Sequence, residues 1–226
     1  MRMTPRLATA ALAVALVAGI GLAGSPAQAK TTTTVSGAAK LPFLLSALSA
    51  LSLAGTQVDA TPPATAEGDG GSSKTLVFPV SRLPKNGVLP LDGGMSIGAS
   101  VARLYLTAPR LEYSTDAGRG RITFEVVDMP ADGPADLANG TRIALLNVSR
   151  LAVKTTRGRV TGSGKEWKRI DTQRIAGRVY LVDDATLLTS INTFIGSTFF
   201  TPKRPFSKLS TVITTTVTCS TRAECR

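Results

Sequence analysis

The sequence predicts a mainly β fold, an antiparallel β-sandwich or partly closed barrel with two short helices. Three observations lead there. Arg121-Ile-Thr-Phe-Glu-Val alternates polar and apolar residues, so Ile122, Phe124 and Val126 share one face of a half-buried strand. Thr, Val and Leu dominate the second half of the chain, a usage that favours strands. Two short apolar stretches have helical spacing instead, and a glycine closes each one, Gly55 and Gly196.

The alternating strand belongs to a hairpin within Gly93 to Asp128. Leu104 and Leu106 alternate with Arg103 and Tyr105, and Asp116-Ala-Gly-Arg-Gly supplies the glycines a tight connection needs. Gln57 to Ala60 and Thr75 to Val80 read as short strands, with Pro79 marking an edge or bend. Thr141 to Val153 reads as a buried strand followed by a shorter one. Thr198 to Thr201 and Leu209 to Thr218 are β-prone. Thr61 to Lys74, with paired prolines followed by Gly and Ser, reads as a loop.

The first helix is expected over 44–54, where Leu44, Leu48 and Leu51 make a stripe that packs on the β-core or, in the alternative, touches a membrane surface. The second runs to Ile195 behind Asp183 or Asp184 as cap. Both are followed by a short β-prone segment, a weak internal echo.

Residues 1–29 read as a secretory signal peptide. Arg2 and Arg6 give a positive start, Ala8 to Leu22 is apolar, and Ala27-Gln-Ala29 is a small-x-small cleavage site. The expected product is secreted, extracellular or held at the cell envelope, with no transmembrane segment after cleavage. Residues 30–40 read as a flexible lead, 41–218 as one β-rich domain with its core over 75–218, and 219–226 as a tail. Secretion makes a disulfide the expected state of Cys219 and Cys225. A zinc site is a poor alternative, because zinc normally takes four ligands and the chain has no His.

The lack of His also removes Ser–His–Asp and Cys–His catalysis. No Ser-x-x-Lys is present for serine–lysine chemistry. Gly158-Arg-Val-Thr-Gly-Ser-Gly-Lys165 fails the phosphate-binding-loop spacing and reads as a basic turn. Adjacent Asp183 and Asp184 suit a helix cap better than an acid/base pair, so a carboxylate-dependent hydrolase has no supporting motif. Asn139-Gly-Thr and Asn147-Val-Ser fit a glycosylation sequon and carry little weight beside a bacterial-looking signal peptide.

Net charge is the feature that points to partners. The chain carries +11, of which +9 remains once the signal peptide is removed. Most of it lies between positions 150 and 178: Arg150, Lys154, Arg157, Arg159, Lys165, Lys168, Arg169, Arg174 and Arg178, against Glu166 and Asp171. Trp167, the single Trp, sits inside this run. Such a surface suits anionic cell-wall polymers or a membrane surface, with the indole available to stack. The plainer reading is a solvated hairpin whose outward positions are basic.

Four short patterns in order, Ala47 to Pro63, Thr75 to Arg82, Leu91 to Ile97 and Leu187 to Phe200 with Ile191-Asn192 inside it, resemble secreted β-rich actinobacterial proteins related to the HtaA-type, haem-uptake-associated domain. The resemblance spans about residues 44 to 217. It implies export, a β-rich fold and a binding or structural rather than enzymatic role. It also raises haem, or another hydrophobic ligand in the β-core, as the alternative cargo, with Tyr105, Tyr113 or Tyr180 as candidate iron ligand. No cofactor follows from the residues themselves. The family's His before the Gly-Gly pair is replaced here by Leu91-Asp92, so no ligand role is carried over.

Overall fold

The structure, a computed structural model, describes residues 31–99 and 102–226. The signal peptide and its cleavage site lie outside the described residues. Among the described residues twelve strands form one antiparallel sheet: β1 (Thr32–Pro42), β2 (Gln57–Thr61), β3 (Thr65–Glu67), β4 (Thr75–Pro79), β5 (Val88–Pro90), β6 (Gly94–Gly98), β7 (Arg103–Ser114), β8 (Arg119–Val127), β9 (Arg142–Thr156), β10 (Val160–Ser163), β11 (Glu166–Leu181) and β12 (Pro205–Cys219). The order across the sheet is β2-β6-β7-β8-β9-β11-β12-β1-β4-β3, with β10 on β11 and β5 on β7. Helix α1 (Leu45–Leu53) follows β1, and α2 (Ala185–Ile195) lies between β11 and β12.

The sheet curls into a nearly closed barrel. Phe78 on β4 and Phe124 on β8 lie far apart in the strand order, yet their ring centroids are 6.5 Å apart and both side chains are fully buried. That contact requires opposite walls to face each other across one core. The seam between the two ends of the sheet is held by charge. Asp59 on β2 accepts from Lys74, just before β4, at 2.9 Å and from Arg103 on β7 at 2.8 Å. Partial burial pushes the Asp59 carboxyl up, but the hydrogen bonds and charges of Arg103 and Lys74 outweigh it and hold it below its ordinary value. The stabilisation is therefore complete above the ordinary carboxylate range and is lost as pH falls through the depressed value. We expect Asp59→Asn to lower stability at neutral pH and to flatten the acid limb of the stability–pH curve, its difference from the native protein vanishing as pH falls through the depressed value. Urea midpoints across the acid range check this.

From Thr32 on, the expected flexible lead at 30–40 is instead a strand inside the sheet, since β1 pairs with β12 from Thr32 to Lys40 and with β4 from Ala38 to Pro42. Small residues disguise it. At Gly37 the neighbouring strand passes so close that a Cβ would run into the Val212 carbonyl oxygen; Ala39 and Leu41 are fully buried in the core and Val35 packs against it. The loop 61–74 is likewise interrupted by β3. Thr141 to Val153 forms one strand, not two, and is broken in register by Arg150 at φ +50°.

Both helices lay one stripe on the core: Ala47, Leu48 and Leu51 in α1, and Leu187, Leu188, Ile191 and Ile195 in α2. Asp184 is the residue that caps α2, accepting from the Leu187 amide at 3.0 Å, while Asp183 pairs with Lys203. The echo noted in the sequence is structural. Each helix ends in a glycine with positive φ, and the next amide reaches back five residues, Thr56 to Leu51 and Ser197 to Asn192, both at 2.8 Å. The two hydroxyls that follow the glycines then meet, Thr56 Oγ1 to Ser197 Oγ at 2.6 Å, in the buried interior. The segment Thr198 to Thr201 is not a strand. The Asn192 side chain takes both backbone groups of Phe200, at 2.7 and 3.0 Å, which leaves no ladder to join. Among the described residues no helix is long and apolar enough to cross a membrane.

Candidate polyanion-binding face

β11 carries most of the predicted basic residues, and its alternation divides them between two faces. Ile175, Val179 and Leu181 point to the core, so the odd-numbered positions face inward and Lys168, Arg174 and Arg178 face out. Directly opposite residues of an antiparallel pair share a face. Arg174 is opposite Lys154 on β9, and Arg178 is opposite Lys208 on β12. All four are exposed. None of the four has an acidic partner within ion-pair distance among the described residues. Like charges directly opposite each other destabilise a sheet. Two such pairs lie four residues apart on β11, about 13 Å.

The rest of the predicted set is dispersed. Arg150 is exposed at the β9 irregularity. Arg157 and Arg159 lie in the β9–β10 connection, and Lys165 lies in the β10–β11 turn. Lys168 faces out but pairs with Glu166 at 2.7 Å, and its ammonium holds the Glu166 carboxyl below its ordinary value. Trp167 and Arg169 are on the opposite face and serve the tail. The indole N–H donates to the Gly164 carbonyl at 3.1 Å, and the Arg222 guanidinium lies 5.7 Å from the ring centroid. Arg169 binds Asp171 at 3.0 Å and donates to the carbonyl oxygens of Cys225 and Arg226. The expected single basic face is thus narrower than 150–178. It lacks the indole and gains Lys208, which sequence proximity could not reveal because β12 follows β11 only after α2.

Cys219 and Cys225 are joined, with Cα atoms 5.6 Å apart and both residues buried. The closed loop is short, so its entropic contribution is about 2 kcal/mol. We expect the Cys219→Ser/Cys225→Ser protein to remain folded and to lose no more than about that amount, with early amide exchange confined to the last residues and the Trp167 end of β11.

Beyond the four cations the same outer face is a block of hydroxyls. Ser36, Thr214, Thr172 and Thr156 lie side by side across β1, β12, β11 and β9. The next row is Thr34, Thr216 and Ile170, and the one beyond is Thr32, Thr218 and Lys168. In the other direction the row Ala38, Val212, Arg174 and Lys154 adjoins the block directly. Of the block's hydroxyls only Thr34 meets a protein partner among the described residues, the Thr216 carbonyl at 3.5 Å.

The three tyrosines do not converge. Tyr105 is exposed on β7, and Tyr180 alternates with inward-facing Val179 and Leu181. Tyr113 is half-buried beside a shallow groove of about 470 Å³ whose lining includes Glu112, Arg119, Arg121 and Asn147. Burial pushes the Tyr113 phenol up. A second cleft of about 430 Å³ lies between α1, β2 and Lys74, along the seam.

No protein-family model matches the chain, and no curated protein matches it. Among solved structures the chain is similar to the C-terminal domain of HtaA from Corynebacterium glutamicum, with 13% identity, a TM-score of 0.46, and coverage of 81% of this chain and 99% of that one. No residue role passes through this likeness.

Proposed function

We propose that the mature chain is an exported, non-enzymatic binding protein that holds anionic cell-envelope polymers on the outer face of β9, β11, β12 and β1. The observation that carries this reading is the pair of facing cations, Lys154 with Arg174 and Arg178 with Lys208, exposed and without acidic partners among the described residues. A sheet that needed only solubility could place acids opposite these positions and gain stability. A polyanion laid across the strands neutralises both pairs at once and releases its counterions. The exported setting rests on the signal peptide read from the sequence. Co-sedimentation of the mature protein with isolated wall polymer tests the reading. We expect binding at low salt that falls steeply as salt rises, and binding that ignores salt, or none, contradicts it.

A further inference from the structure

We infer that the polymer recognised by this face is a polyol phosphate, its phosphates set on the Lys/Arg rows and its free hydroxyls on the threonine block. The inference rests on the polyanion reading and names the class of polymer. Thr is favoured on any exposed strand. Distinctive here is a two-dimensional block on four adjacent strands. Its two inner rows, those of Ser36 and Thr34, hold no charged residue, and its edge meets the cationic row of Arg174 and Lys154 one strand repeat away, about 7 Å. A bare polyanion would find nothing to bind on those rows. A chain that alternates phosphates with hydroxyls matches both parts, because Thr and Ser hydroxyls can donate and accept, and they are left open by the fold.

Other polyanions fit less well. Single-stranded nucleic acid is held on aromatic platforms, and Trp167 points away from this face. A bilayer surface takes an apolar wedge, and the block offers only Ile170.

The test uses the mature protein, a synthetic ribitol-phosphate polymer, and inorganic polyphosphate, which has charge but no alcohol groups. In the variant Thr172→Val/Thr214→Val/Thr216→Val the shape and β preference stay and the hydroxyls go. We expect its affinity for the ribitol-phosphate polymer to fall about tenfold, as the loss of a few modest hydrogen bonds implies, with polyphosphate affinity unchanged. The matching Thr→Ser variant should bind both like the native protein, and equal melting temperatures will show that all three are folded. If the native protein binds both polymers and the Val variant loses neither, the polyol inference is overturned while the polyanion reading stands. If the native protein binds neither polymer, both fall together.

Discussion

A chain lacking residues 30–40 is expected not to fold. The deletion removes β1 from between β12 and β4, so two interior strands lose their partner at once. Unpaired backbone would be left along both edges, and Phe78, Leu76 and Ile213, all fully buried, would face water through the open wall. The lost wall strand exceeds the whole stability of an ordinary domain, about 5–15 kcal/mol. Circular dichroism and urea unfolding of the truncated protein check this, and the expected result is no cooperative transition. Gly37→Val is the single-residue counterpart, since its side chain would run into the Val212 carbonyl. A truncated chain that unfolds cooperatively near the native midpoint would mean that residues 30–40 are the flexible lead the sequence implied.

Phe124→Ala is expected to be the most costly of the simple core truncations. The ring is fully buried on β8 and meets Phe78 from the opposite wall, so removing it opens a cavity where the curled sheet closes. Such truncations cost about 3–5 kcal/mol. For a domain of this size that lowers the melting temperature by roughly 6–20 °C. Replacing Ile170, which is 52% exposed on the outer face, should move it by little. If both substitutions had the same small effect, the barrel interior would not lie between β4 and β8.

The parts of this fold legible in the sequence were those with unambiguous periods. The β7–β8 hairpin alternates with period two around a glycine-containing turn, and α2 has a helical stripe with a carboxylate before it and a glycine after it. β1 was hidden because Gly37 and Ala39 stand between Val35 and Leu41 on its inward face, so no run of large apolar residues at period two marks it. Thr198 to Thr201 has strand-like composition, but the side chain of Asn192, eight residues before Phe200, decides its conformation. The candidate site was half legible. Arg174 and Arg178 stand at outward strand positions that alternation alone predicts. Their partners do not, because Lys154 is placed by the register break at Arg150 and Lys208 by a pairing that spans α2. Trp167 and Arg169 were grouped with them by proximity in sequence, although neighbours on a strand face opposite ways.

The measurement that bears most directly on the central claim is the salt dependence of polyphosphate binding by the native protein and by Lys154→Gln/Arg174→Gln/Arg178→Gln/Lys208→Gln. The four side chains are exposed, and their removal relieves two like-charge contacts, so the variant should be at least as stable as the native protein. Each neutralised phosphate contributes about 0.7 to the slope of log affinity against log salt for a flexible single-stranded polyanion, so we expect the slope to flatten by roughly 2–3 and low-salt affinity to fall about a hundredfold. An unchanged slope in a folded variant would place the binding elsewhere on this basic chain and contradict the assignment of the face.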